Sequence, residues 1–211
     1  MNKRITNQLD PLVKEVRELG ERIEGLEGRL GVGEEKVIND KLQRERAIQV
    51  GQNALNKAAA FVKDAEFSKK GEKLLAACNV ATYSAFEEFT GNKSLNGKLA
   101  NDIFKHLSNS SEWQEIQGPQ GVQDLANKGQ YIIAARPEYG LNKKGLPRSG
   151  HVVLIIPGDE VISPTWGGGV PICIDAGANR RWLGFGINKS WSVNIRDNVH
   201  FFLYKGPIVR K

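Results

Sequence analysis

The chain has 211 residues, which at about 100–200 residues per domain is one compact domain with room for an extension. It is 40% hydrophobic and 26% charged, enough apolar material for a core, and its two cysteines exclude a disulfide-dense scaffold. The net charge of +6 divides into 15 basic and 13 acidic residues over 1–77 and 15 and 11 beyond, so no dense Lys/Arg run marks a nucleic-acid-binding tail and no nucleic-acid partner is expected.

The start, MNKRITNQLDPLVKEV, lacks the apolar core of a secretory signal. No window offers the ~20 apolar residues of a membrane span. The expectation is a protein made in the cytoplasm that reaches the periplasm or cell wall, if it acts there, by a non-Sec route. Residues 1–77 hold no Trp or Tyr and are rich in helix formers, whereas all four of each lie beyond. This contrast places a boundary near 68–77 and divides the chain into a helical extension, 1–70, and a second domain, 71–211.

Within the extension, Ile5, Leu9, Leu12, Val16, Leu19, Ile23, Leu26 and Leu30 alternate four and three apart, an unbroken heptad seam. Asp10-Pro11 reads as N-cap and first helical residue. Three readings stand. Residues 9–30 pair with a second copy as a dimeric coiled coil, Gly31-Val32-Gly33 turns the chain into a helical hairpin, or the segment is a flexible arm. Glu34 to about Phe67 reads as a helix, with Ala47, Val50, Ala54, Ala58, Phe61 and Ala65 as its apolar stripe.

Beyond the boundary the pattern predicts helices over 74–89 and 99–107, then strands over 130–135, 151–157, 170–175 and 199–205. The strand candidates are rich in β-branched and aromatic residues and bounded by Gly, Pro or Asn. Helices followed by strands argue for an α+β domain, an antiparallel sheet with helices packed on one side. The segment Gly184–Ser190, GFGINKS, departs from the phosphate-loop pattern because Asn188 stands where its second glycine is required. Three scattered histidines and two scattered cysteines give no metal-ligand spacing, so neither a metal nor a cofactor is expected.

One constellation carries chemistry. Cys78 lies in LLAACNVATYSAFEEFTG, where Ala81, Ala85, Phe86 and Phe89 recur at helical spacing. A cysteine at a helix start feels the positive end of the dipole, which favours thiolate. His151 opens the strand HVVLII after the turn LPRSG, placed to act as a general base at a strand mouth. Asp175 ends the segment VPICID and is the candidate orienter of the imidazole. His106 and His200 read as packing or surface residues.

The order of Cys78-Asn79 with its helix, then Gly129-Gln130-Tyr131-Ile132-Ile133-Ala134-Ala135, then Gly150-His151-Val152-Val153-Leu154-Ile155 resembles the NlpC/P60 cysteine peptidases. These are papain-like peptidoglycan amidases whose relatives include CHAP domains and type VI secretion amidase effectors. The resemblance covers about residues 74–205. It implies a papain-like core, with Cys78 as nucleophile, His151 as base and Asp175 in third place, where the family often carries His, Asn or Gln. It also implies a hydrolase that cuts an amide bond of a peptidoglycan stem peptide, with Asn79, Trp166 and Trp191 as substrate contacts. Such an enzyme would be an antibacterial effector or phage lytic protein, partnered by an immunity protein or by a secretion or phage structural protein. A papain-like toxin that deamidates or acyl-transfers on a protein, and a non-enzymatic coiled-coil adaptor with a wall-binding domain, are the competing readings.

Overall fold

The computed structural model describes residues 32–68, 77–143, 145, 147–176 and 182–207, without side chains for 32–40, 43, 61–68 and 182. The heptad seam over 5–30 and the boundary residues 69–76 lie outside the described residues. The chain divides into two compact units, 1–41 and 42–211, and only helical residues 32–41 of the first are described.

Helix α1 runs Val32–Ser68. It takes in Val32 and Gly33, which the sequence assigned to a turn. Ala47, Val50, Ala54 and Ala58 form its buried stripe, while Phe61 and Ala65 lie outside the described side chains. The small residues let this helix approach the sheet closely. A Cβ on Gly51 would stand 2.5 Å from Ile174 Cδ1 and 3.0 Å from Leu183 Cδ1. Helix α2 follows at Ala77–Thr90 and helix α3 at Ala100–Asn109, whose Ala100, Ile103 and Leu107 are buried at helical spacing. Then come β1 (Trp113–Ile116), the short helix α4 (Val122–Asn127), β2 (Ile132–Arg136) and β3 (His151–Ile155). The hairpin β4 (Val161–Ser163) and β5 (Gly168–Val170) precedes β6 (Ile172–Asp175), β7 (Trp182–Gly186) and β8 (His200–Tyr204). Two 3-10 turns, Ile187–Lys189 and Val193–Asn198, link β7 to β8.

Among the described residues one six-stranded antiparallel sheet forms, ordered β1-β8-β2-β3-β6-β7. Its side chains alternate between two apolar clusters, as the period of two requires. Ile133, Ala135, Val152, Leu154, Phe202 and Tyr204 meet α1, α2 and α3 on one face. Ile132, Ala134, Val153, Ile155, Phe201 and Leu203 meet Val122 and Ala126 of α4, Trp166 and Val170 of the hairpin, and Ile187 and Trp191 on the other.

The protein is therefore α+β, but the sheet is covered on both faces, whereas the sequence analysis expected helices on one side only. The signal was present in the strands themselves. YIIAA, HVVLII and FFLY are continuous apolar runs, the mark of a strand with no solvent face. The strand expected over 170–175 is two strands, because Pro171 lacks the N–H to continue a ladder: Val170 ends β5 and Ile172 begins β6. The strands β1, β4 and β7 and helix α4 had no place in the sequence reading, since each is short or built around glycine.

Phe86 anchors α2 to the sheet. It is fully buried, with ring centroids 5.3 Å from Trp113, 5.4 Å from Tyr131 and 5.0 Å from Tyr204. This aromatic nest holds α2 against the strands, with Cys78 in its first turn.

Candidate active site

Three elements bring Cys78, His151 and Asp175 together. Cys78 is in the first turn of α2, and its side chain belongs to the core between α2 and the sheet. His151 is the first residue of β3, paired across the ladder with Arg136. Asp175 is the last residue of β6, next to β3 in the sheet, and is fully buried. The ends of β3 and β6 and the start of α2 thus converge on one point.

His151 Nε2 lies 3.0 Å from Asp175 Oδ1. The imidazole also hydrogen-bonds the Cys78 thiol. With Nε2 directed at the carboxylate, that bond falls to Nδ1. The histidine therefore stands between a thiol and a buried carboxylate, with 23% of its side chain exposed.

The electrostatics follow from this arrangement. Burial pushes the Cys78 thiol up, but the hydrogen bond and positive charge of His151 and the Val152 backbone N–H outweigh it, and the thiol falls below its ordinary value of 9.0. The charge of Asp175 opposes this slightly. Burial also disfavours the imidazolium, yet hydrogen bonds to Asp175 and Cys78, with the charges of both, raise His151 to about 10. The two groups titrate as a coupled pair, each shifting the other towards the thiolate–imidazolium form.

The backbone around His151 is tightly determined. A Cβ on Gly150 would lie 2.4 Å from the Arg136 carbonyl oxygen, 2.5 Å from Asn101 Oδ1 and 3.0 Å from Pro137 Cα. Asn101, from α3, closes the base of the β2–β3 loop. Its Oδ1 accepts from the N–H groups of Glu138 (3.0 Å) and Gly150 (2.9 Å), and its Nδ2 donates to the carbonyls of Glu138 (2.7 Å) and Arg148 (3.2 Å). These bonds set where the chain enters β3 and so where His151 stands.

The three residues named as substrate contacts divide. Trp191 lies at the site, its ring edge-on to His151 at 5.4 Å between centroids. Trp166 is buried in the same apolar cluster as Trp191, and its carbonyl accepts from Arg196 at 3.1 Å. Asn79 is buried, and its Nδ2 donates to the Lys98 carbonyl at 2.7 Å, tying α2 to the segment before α3.

Sequence reasoning missed Ser190. Its hydroxyl donates to Asp175 Oδ2 at 2.7 Å and lies 3.7 Å from Cys173 Sγ. It also missed Asn101, for which the sequence carries no signal. Both cysteines are free thiols, and burial holds Cys173 up at about 12, with Asp175 adding to the rise and Ser190 opposing it. Cys173 is therefore an inert thiol beside the site. Among the described residues no group of three or more His, Cys, Asp or Glu side chains is arranged to hold a metal ion, and no helix is long and apolar enough to cross a membrane.

What the arrangement can do chemically is nucleophilic catalysis. It has a thiol with lowered pKa, an imidazole that can hold and return its proton, and a buried carboxylate that stabilises the imidazolium. No family model matches the chain, and no curated protein matches it.

Proposed function

We propose that the chain is a cysteine hydrolase with a papain-like NlpC/P60 core, cutting an amide bond in the stem peptide of peptidoglycan. One observation carries the reading of the chemistry: His151 bridges the Cys78 thiol and the buried Asp175 carboxylate, 3.0 Å from Nε2. The choice of peptidoglycan rests on the sequence resemblance through Cys78-Asn79, the Gly129–Ala135 segment and Gly150–Ile155. The order of elements, a cysteine helix followed by a strand that opens on histidine and a neighbouring strand that ends on a carboxylate, supports the papain-like core.

In this reading the Cys78 thiolate attacks the amide carbonyl carbon and forms a C–S bond. The developing oxyanion lies near the first-turn N–H groups of α2, which no residue within the helix can satisfy. His151 gives its proton to the leaving nitrogen as the C–N bond breaks. A thioester remains on Cys78 and an amine departs. The neutral imidazole then takes a proton from water, whose oxygen attacks the thioester. The C–S bond breaks, leaving the thiolate–imidazolium pair and a carboxylic acid, which gives its proton to solvent. Asp175 keeps its charge throughout and holds the ring by Nε2.

The test is digestion of purified peptidoglycan by wild type and Cys78→Ala, with products read by mass spectrometry. New muropeptides from wild type alone are expected, and their masses name the bond. Intact peptidoglycan with both folded proteins would remove this substrate and leave protein deamidation or acyl transfer as the chemistry to test.

A further inference from the structure

The segment Gly184–Ser190, which fails as a phosphate loop, ends beside the reactive residues. β7 runs to Gly186, and the 3-10 turn Ile187–Lys189 then folds the chain back. The turn is fixed at both ends. The Ile187 N–H donates to the Pro171 carbonyl at 2.9 Å, just before β6, and the N–H groups of Ser190 and Trp191 donate to the Ile187 carbonyl at 2.9 and 3.3 Å. Ile187 is fully buried in the cluster of the hairpin and α4. The two residues after the turn therefore have little freedom. Trp191 sets its ring edge against His151, and the Ser190 hydroxyl, 2.7 Å away, donates to Asp175 Oδ2.

Asp175 thus has its two oxygens divided, Oδ1 towards His151 and Oδ2 towards Ser190. A carboxylate on a short side chain can rotate about χ2, which is broad for such terminal torsions. Rotation would carry Oδ1 away from Nε2. A hydrogen bond to the far oxygen opposes that rotation and favours the ionised carboxylate. Among the described residues, charged or titratable groups facing this carboxylate include His151 from β3, Cys78 from α2 and Cys173 on β6 itself.

We propose that Ser190 is a positioning residue. Its hydroxyl locks the Asp175 carboxylate so that Oδ1 holds the His151 ring in place for Cys78. The assignment rests on the reading of Cys78, His151 and Asp175 as the reactive group.

The test compares wild type, Ser190→Ala and Ser190→Thr as full chains. Alkylation of Cys78 by iodoacetamide is followed by mass spectrometry across pH, with thermal melts and with kcat and KM on peptidoglycan. The alanine variant is expected to melt close to wild type, to lose the alkaline limb of its alkylation profile by about one pH unit and to lose about tenfold in kcat with KM little changed, the scale of one hydrogen bond to a charged group. Threonine, which keeps the hydroxyl, should restore both. An alanine profile that overlays the wild type's overturns the assignment, as does a threonine variant that melts like wild type yet behaves like alanine. A wild type whose Cys78 titrates as an ordinary buried thiol overturns both the assignment and the reading beneath it. A wild type with the lowered thiol that leaves peptidoglycan intact removes the substrate alone, and the alkylation comparison still decides the role of Ser190.

Discussion

Asp175→Asn tests the electrostatics of the site with almost no change of shape. The side chain keeps one oxygen that can accept from His151 Nε2 at about the present 3.0 Å, but the buried charge is gone. Centres of charge about 4 Å apart interact by about 4 kcal/mol at an effective dielectric constant near 20, equivalent to about three pH units. The retained hydrogen bond returns part of this, so the imidazolium should lose its proton about two to three units below the wild-type value of about 10. The thiol responds in the same direction and less, because Asp175 raises Cys78 only through space, as the smallest of its influences. Both limbs of the Cys78 alkylation profile therefore move down, the alkaline limb further, and the pH window of the thiolate–imidazolium pair narrows. The assay is alkylation rate against pH, with the labelled cysteine identified by peptide mass spectrometry. Cys173 should stay silent, since it is 1% exposed and its thiol is held at about 12. A folded Asp175→Asn protein whose alkaline limb stays where the wild type's is would refute the claim that this carboxylate sustains the imidazolium.

Gly150→Ala should be damaging although glycine is replaced by the smallest side chain. Its Cβ would meet the Arg136 carbonyl oxygen at 2.4 Å and Pro137 Cα at 3.0 Å, and backbone atoms cannot rotate aside. A stability loss of about 1–3 kcal/mol and, as His151 is displaced, about a hundredfold loss of activity are expected, measured by urea unfolding and turnover with the exposed neighbour Ser149→Ala as control. Phe86→Ala should cost about 3–5 kcal/mol in urea unfolding, because three aromatic rings pack on it within 5.4 Å. A loss below about 1.5 kcal/mol would mean that the nest around α2 collapses into the vacancy and is not a rigid mount for Cys78.

Much of the architecture is written in local patterns. The stripe of Ala47, Val50, Ala54 and Ala58 marks the buried face of α1, and the apolar runs around Ile133, Val153 and Phe202 mark the central strands of the sheet. Helical and strand periods are properties of neighbouring residues, so they survive without knowledge of the fold. The same is true of His151 at a strand mouth after Gly150 and of Cys78 at a helix start. Strand order, the cover on the second face and the course of Gly184–Ser190 are not local. They depend on which distant segments share a core, and short elements such as β1, α4 and the β4–β5 hairpin acquire their structure from that packing.

The third and fourth polar groups show the difference most clearly. Asp175, two residues before Gly177, reads equally well as a turn residue, and Ser190 lies in a motif that fails by the pattern it resembles. Only the pairing of β3 with β6, and the turn that follows β7, bring His151, Asp175 and Ser190 into hydrogen-bond contact. Residue types and periods limit what each segment can become. A hydrogen bond between residues 24 positions apart, as between His151 and Asp175, exists because the antiparallel register of β3 and β6, with Leu154 opposite Ile174, sets the start of one strand near the end of the other.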